Sequence, residues 1–392
     1  MRNLLIYLIL AILFVNPTNK VQAQNNSDHI KISLLTCSPG LELYSLFGHS
    51  AIRVQDSSRK LDLVFNYGIF DFNTPNFYPK FVRGKLNYNL GINSFEGFKA
   101  SYKRSRQSVV EQELNLSSDS KQKLLRALWE NYRPENRYYT YDFLFMNCST
   151  MIRDIIQNEI VDQLEYKDAN LQSDQTFRDL LGLYMTETPW IYTGINLALG
   201  LSCDAKANQY QKMFLPDMLK IGFDQAIVAQ GSHSTKIVAK ENVILSKRAR
   251  QTHTPWYKHP LFVFGLIAFI GLLLTLSSIK NKKRFVLLDL LVFGSTAIFG
   301  IVIIFLWFFT DHLAMRPNLN VLWALPTHLP LITILFKKNR PSWVKSYFKY
   351  HSIFILLLIA AWPIIPQVLP YTILPFVVLI LIRSIYNATR SY

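Results

Sequence analysis

The sequence predicts an exported α+β domain followed by an all-α transmembrane bundle of about five helices. The first observation is a change in composition: residues 25–258 are a mixed globular sequence, whereas long apolar runs dominate after that point. The second is the N-terminus, where a basic start, an apolar run and Val21-Gln22-Ala23 have the parts of a secretory signal. We expect a signal peptide at 1–23, an exported domain at 24–258 and a membrane domain at 259–392, with an uncleaved signal anchor as the alternative.

The exported part alternates between strand-like and helix-like segments. Runs rich in aliphatic and aromatic residues predict strands at Ile30–Leu35, Ser50–Val54, Leu61–Tyr67, Ser108–Leu116 and Tyr138–Phe145. Ser117 caps a predicted helix with Leu124 and Leu128 on one side. Another helix is predicted after Cys148, with an isoleucine stripe. This order favours an antiparallel sheet with helices packed on one side.

The third observation is the spacing of apolar and basic segments in the last third of the chain. The apolar segments are Leu261–Leu276, Phe285–Phe309, Val321–Phe336, Ile353–Ile365 and Tyr371–Ile385. Basic residues crowd the first and third connections, which places those connections inside and the exported domain outside. Prolines leave open that the last two segments form one kinked helix. The net charge of +16 is therefore a topology signal, and no nucleic-acid binding is expected.

Cys148 is the main candidate for chemistry. It stands where an extended segment gives way to a helix, and a helix start lowers the pKa of a thiol. His49 begins a strand upstream. A cysteine on a helix start and a histidine on a strand are the minimum of a thiol acyl-transfer site, and their order is reversed relative to papain. The alternatives are a buried, unreactive cysteine and a structural histidine.

The turn at Asp56–Arg59 suggests a third member of the site. A symmetric hairpin there pairs positions that sum to 115, which places His49 opposite Asn66 and makes Asn66 a candidate to orient the imidazole. This prediction depends on the register, since a one-residue slip would turn Asn66 away.

The remaining cysteines leave two possibilities. If Cys148 is the nucleophile, Cys37 and Cys203 form the only available bridge outside the cytoplasm. Three free thiols are the alternative.

Polar residues near the expected membrane edge are candidates for substrate binding: Arg83, Lys85, Asp311, His312, Asn318 and Asn320. Cationic side chains could meet a phosphate, and polar groups at a membrane edge tend to be functional. Ordinary surface and interface roles are the alternatives. The sequence has no glycine-rich phosphate loop, HExxH pattern or CxxC pair, so no metal or cofactor is predicted.

Several sequence blocks together resemble a known family. The order of Phe47-Gly48-His49-Ser50 and Asn147-Cys148-Ser149-Thr150 is similar to that of the circularly permuted papain-like group, which includes NlpC-type peptidases and lecithin:retinol acyltransferase relatives. Further blocks resemble Lnb-type lipoprotein N-acyltransferases of Bacteroides-like bacteria: Leu35–Gly40, Asn66–Phe72, Arg83–Leu86, Pro134–Arg137 and Asn318–Pro326.

The resemblance implies an acyltransferase in the inner membrane whose papain-like catalytic domain faces the periplasm. It would move an acyl chain from a phospholipid through a thioester on Cys148, with His49 as base, to the α-amine of a diacylated lipoprotein. The alternatives are a membrane-tethered NlpC-type cell-wall peptidase or amidase, and a non-catalytic membrane binding protein. A peptidase needs only one anchor, so about five spans favour the acyltransferase.

Overall fold

The structure, a computed structural model, describes residues 29–160, 163–166, 174–230, 233–246, 254–337 and 339–389. The predicted signal peptide lies outside these residues. The strands are β1 Ile30–Cys37, β2 His49–Asp56, β3 Leu61–Ile69, β4 Asn87–Ser94, β5 Val109–Leu114, β6 Tyr138–Thr140, β7 Gln163–Tyr166, β8 Ala226–Gln230, β9 His233–Lys236 and β10 Val238–Leu245. The helices of the first part are α1 Phe77–Val82, α2 Phe95–Arg104, α3 Ser118–Tyr132, α4 Cys148–Glu159, α5 Phe177–Gly182, α6 Pro189–Ala198, α7 Gln209–Lys212 and α8 Pro216–Gln225. Those of the last part are α9 Pro260–Asn281, α10 Val286–Phe308, α11 His328–Leu335, α12 Trp343–Ala361 and α13 Leu374–Thr389.

A seven-stranded antiparallel sheet forms the centre of the first part, in the order β10-β5-β1-β2-β3-β4-β6. Residues that alternate along β1 face opposite sides, as the pleat requires. Ile32 and Leu34 join α3, α4 and α8 in the larger core, while Leu35 packs towards α2 on the other face. The α+β class is confirmed, but the expectation of helices on one side only is wrong, because α2 covers the second face.

The β2–β3 hairpin positions the site, and its register differs from the predicted one. Ile52 pairs with Phe65 and Asp56 with Leu61, so partners sum to 117 and the prediction of 115 is wrong. The loop is longer than in the symmetric hairpin that we predicted. Asp56 Oδ1 accepts the backbone N–H groups of Ser58 and Arg59, and this local turn was not part of the prediction. The shift is two residues, and a strand repeats its facing every two residues, so Asn66 stays on the predicted face.

The proposed bridge between Cys37 and Cys203 is not formed. Both thiols are buried and free, and they belong to different apolar clusters. Cys37 ends β1, whereas the Cys203 thiol donates to the Ala314 carbonyl, 3.3 Å away. The alternative of three free thiols is therefore the observed one.

Four helices of the last part are long and apolar enough to cross a membrane: α9, α10, α12 with the turn that follows it, and α13 with the turn before it. The third apolar segment is broken into a 3₁₀ turn at Leu319–Leu322 and the eight-residue α11. Eight residues span only about 12 Å as a helix. The last two apolar segments are separate helices, so the single kinked helix is excluded.

Hydrogen bonds show how the segments are oriented. At one end of the bundle, Arg284 donates to the Lys337 carbonyl and Arg340 to Asn387, which gathers the basic connections together. At the other end, the backbone N–H of Asp311 donates to the Arg83 carbonyl of the first domain. The basic end therefore lies away from that domain, as the positive-inside rule predicts.

Candidate active site

Asn147 fixes the start of α4 and so the position of Cys148. Its side-chain oxygen accepts the backbone N–H groups of Ser149 and Thr150, and its amide donates to the Phe143 and Phe214 carbonyls. The Thr150 hydroxyl in turn accepts the Asn147 N–H, which completes a capping box. The cysteine that follows such a cap is held on the first helical turn, near the positive end of the helix dipole.

A buried pair of hydroxyls links this helix to the strand that carries His49. Ser50 Oγ and Ser149 Oγ lie 3.0 Å apart, and both side chains are buried. Each serine is the neighbour of a candidate catalytic residue, so the bond connects the two backbones where the thiol and the imidazole must meet. His49 and Cys148 are close enough for each side chain to shift the pKa of the other through charge and hydrogen bonding.

Asn66 contacts the other side of the imidazole. The Asn66 amide nitrogen donates to the Val64 carbonyl and, over 3.0 Å, to Asn93 Oδ1. This leaves Asn66 Oδ1 as the atom 3.3 Å from His49 Nε2, so the imidazole donates through Nε2. His49 Nδ1 is then the nitrogen left for the thiol. The predicted contact is present although the register behind it was wrong.

The pKa of Cys148 is shifted in the opposite direction from the pKa values of the other two thiols. Burial alone would raise the pKa of Cys148, but the His49 charge and hydrogen bonds from His49, the Ser50 backbone and Ser149 bring it below the ordinary value. Burial lowers the pKa of His49, and its interactions with Cys148 and Asn66 outweigh this and raise it. By contrast, burial raises the pKa of Cys203 to about 11 and that of Cys37 further. Cys148 is thus the thiol suited to act as a thiolate.

A cavity of about 600 Å³ opens beside His49. Its lining includes the apolar or aromatic residues Leu41, Tyr44 and Phe70 and the polar or basic residues Arg104, Ser105 and Arg106. The cavity is therefore amphipathic, with the imidazole in its wall and Gly68, next to the Cys148 Cβ, in its lining. A larger cavity of about 760 Å³ lies near Arg178 and Val368, away from the cysteine–histidine pair.

The other predicted residues lie at the junction between the domain and the bundle. Lys85 Nζ is 3.9 Å from Asp311, and His312 Nε2 donates to the Phe81 carbonyl. Asn318 and Asn320 are buried and donate to the Leu197 carbonyl at the end of α6. Among the described residues that line the cavity beside His49, none of the six predicted substrate-binding residues occurs.

Sequence reasoning missed two parts of the site. The Ser50–Ser149 bond needs the fold, because 99 residues separate its partners. Arg104 at the end of α2 and Arg106 in the turn that follows had a usable signal: the basic run Lys103-Arg104-Ser105-Arg106 shortly before a predicted strand.

The fold and the site define a membrane protein that holds a cysteine–histidine pair in an α+β domain at one end of its helical bundle. The family model of the Lnb N-terminal periplasmic domain matches residues 17–182, and that of the Lnb transmembrane domain matches residues 252–392. The chain belongs to the Lnb family, and it is a membrane protein with a periplasmic domain. Comparison with curated proteins and with solved structures gives no match.

Proposed function

We propose that the protein is a lipoprotein N-acyltransferase of the inner membrane, with Cys148 as nucleophile, His49 as base and Asn66 as the residue that orients His49. The observation that carries the proposal is the pairing of Cys148 and His49 beside an amphipathic cavity, in a domain joined to a membrane bundle. Membership of the Lnb family supports it.

The first half-reaction loads the enzyme. His49 Nδ1 takes the proton of Cys148, and the thiolate attacks the ester carbonyl of a phospholipid. The ester C–O bond breaks, the leaving glycerol oxygen takes the proton from His49, and the acyl chain stays on sulfur as a thioester. The Asn66 contact engages Nε2 and so leaves Nδ1 for the sulfur in both directions of proton transfer.

The second half-reaction transfers the chain. The α-amine of a diacylated lipoprotein cysteine attacks the thioester, an amide forms, the C–S bond breaks and the amine proton passes to His49. Both substrates hold acyl chains that leave a bilayer at a cost of about 0.8 kcal/mol per CH₂. A multi-span bundle that keeps the site at the bilayer surface suits these substrates, whereas a cell-wall peptidase would need one anchor.

Mass spectrometry of lipoprotein N-termini tests the proposal in cells without another such enzyme. Cys148→Ala should leave diacylated lipoproteins with free α-amines, while Cys203→Ala, which removes a buried thiol elsewhere, should keep N-acylation. Normal N-acylation in the Cys148→Ala strain would refute the acyltransferase. Wall peptides whose cleavage stops with the same substitution would identify a peptidase instead.

A further inference from the structure

We propose that Arg104 and Arg106 bind the phosphate of the acyl-donor phospholipid while the aromatic residues of the same cavity receive its acyl chain. This inference rests on the proposed function and assigns the parts of the donor to named residues. Arg104 and Arg106 thereby take the phosphate-binding role that the sequence suggested for Arg83 and Lys85, which lie at the junction with the bundle.

The two arginines lie at the end of α2 and in the fixed turn that follows it. Gln107 donates to the Ser38 carbonyl over 2.6 Å, and the Ser108 N–H donates to the Ser38 hydroxyl, which ties the turn to the end of β1. Arg106 has a φ of 59°, a left-handed backbone that a non-glycine residue adopts at some cost. This conformation, outside the helix, presents Arg106 to the cavity next to Arg104.

The two arginines differ from the buried arginines of the chain. Arg53 and Arg178 are each paired with carboxylates at 3.0 Å or less. Arg104 and Arg106 are exposed, and within the described residues neither takes part in an ion pair. The described lining includes one carboxylate, Glu42, against these two guanidinium groups. Guanidinium groups with free donors suit a phosphate, which they bind through paired hydrogen bonds.

A series of aromatic rings leads from the cavity to the loop that follows α10. Successive ring centroids lie 4.9–6.3 Å apart along the series Tyr44, Phe70, Phe72, Phe77 and Phe81. The series ends where the Phe81 carbonyl accepts from His312, in the loop that follows the spanning helix α10. Phe72 is 63% exposed, and Phe309 at the end of α10 is 62% exposed. Exposed aromatic side chains are therefore present both in the series and at the end of the spanning helix.

The groups that line the cavity correspond to the groups of a phospholipid. Its ester carbonyl stands between an apolar chain and a phosphate, separated from the phosphate by a short glycerol spacer. The cavity brings the imidazole of His49 together with aromatic side chains and two arginines in one lining. A donor with its chain along the rings and its phosphate on the arginines would present the ester to Cys148.

Acylation of Cys148 by matched donors tests the inference. The full chain in nanodiscs is given phosphatidylethanolamine or diacylglycerol with the same acyl chains, and the initial rate of Cys148 acylation is followed by intact mass. Arg104→Gln/Arg106→Gln should slow loading from the phospholipid by about ten-fold or more and leave loading from diacylglycerol unchanged. Arg126→Gln, which removes an exposed charge on α3, should leave both rates unchanged. Equal rates in the double variant, or an equal loss with both donors, would overturn the inference.

Binding separates this inference from the acyl-transfer proposal. A non-cleavable ether phospholipid should bind the double variant more weakly than the wild type, and equal affinities would overturn the inference even if transfer occurs. Absence of acylation from either donor would refute the transfer reaction alone, and the ether-lipid result would still decide the phosphate site. Inorganic phosphate should compete with the ether phospholipid. Phosphate binding at the arginines without any effect on the lipid would assign the site to free phosphate and contradict the inference.

Discussion

Asn147→Ala should destabilise the periplasmic domain by about 3 kcal/mol. The substitution removes an N-cap, which contributes about 1 kcal/mol. It also takes the donor from the Phe143 and Phe214 carbonyls, at about 1 kcal/mol each. Because Asn147 itself is buried, water does not readily replace these bonds. The effect should reach the site as well, since the same cap holds Cys148.

A second asparagine cap supplies the control. Asn208 also forms a capping box, at the start of α7, but its side chain is exposed. Asn208→Ala should therefore cost about 1 kcal/mol or less. Pulse proteolysis over a urea series measures the free energy of unfolding of the periplasmic domain for both variants in the full chain. A loss for Asn147→Ala no larger than that for Asn208→Ala would refute the reasoning.

Two further predictions concern the thiol and the bundle. Because His49 lowers the pKa of Cys148, the alkylation rate of Cys148 should persist to lower pH in the wild type than in His49→Gln, and identical pH profiles would contradict the pairing. Gly300→Ala should lower the melting temperature of the detergent-solubilised protein, because the added Cβ would collide with the Ala324 carbonyl. Gly265→Ala, whose Cβ would meet open space, should leave the melting temperature unchanged. Equal melting temperatures for the two variants would show that α10 does not pack against the Ala324 backbone as described.

The sequence was sufficient for the features that depend on local signals. Cys148 and His49 stand at a helix start and a strand start, and both starts are found at those residues. The two-part organisation followed from composition and charge. The contact between Asn66 and His49 was predicted from a hairpin register that was wrong by two residues. The contact is present because a two-residue shift leaves a side chain on the same face of its strand.

The features that sequence reasoning missed depend on distant parts of the chain. Whether Cys37 and Cys203 pair is decided by the packing of two separate clusters, and no local pattern reports that. The third apolar segment has the composition of a spanning helix, but it is broken between Leu322 and His328, after a 3₁₀ turn that packs against α10. The cavity wall at Arg104 requires α2 to lie across the sheet from the helix that carries Cys148.

The most direct test of the central claim is the intact mass of the purified protein after incubation with phospholipid alone. The account predicts one added acyl group on Cys148, released by hydroxylamine as a thioester and discharged when a diacylated lipopeptide with a free α-amine is added. Cys148→Ala should acquire no such group, and Cys148→Ser should load very slowly, because a neutral hydroxyl is a weaker nucleophile than a thiolate. A wild-type protein that stays unmodified, or an adduct that persists in Cys148→Ala, would contradict the account.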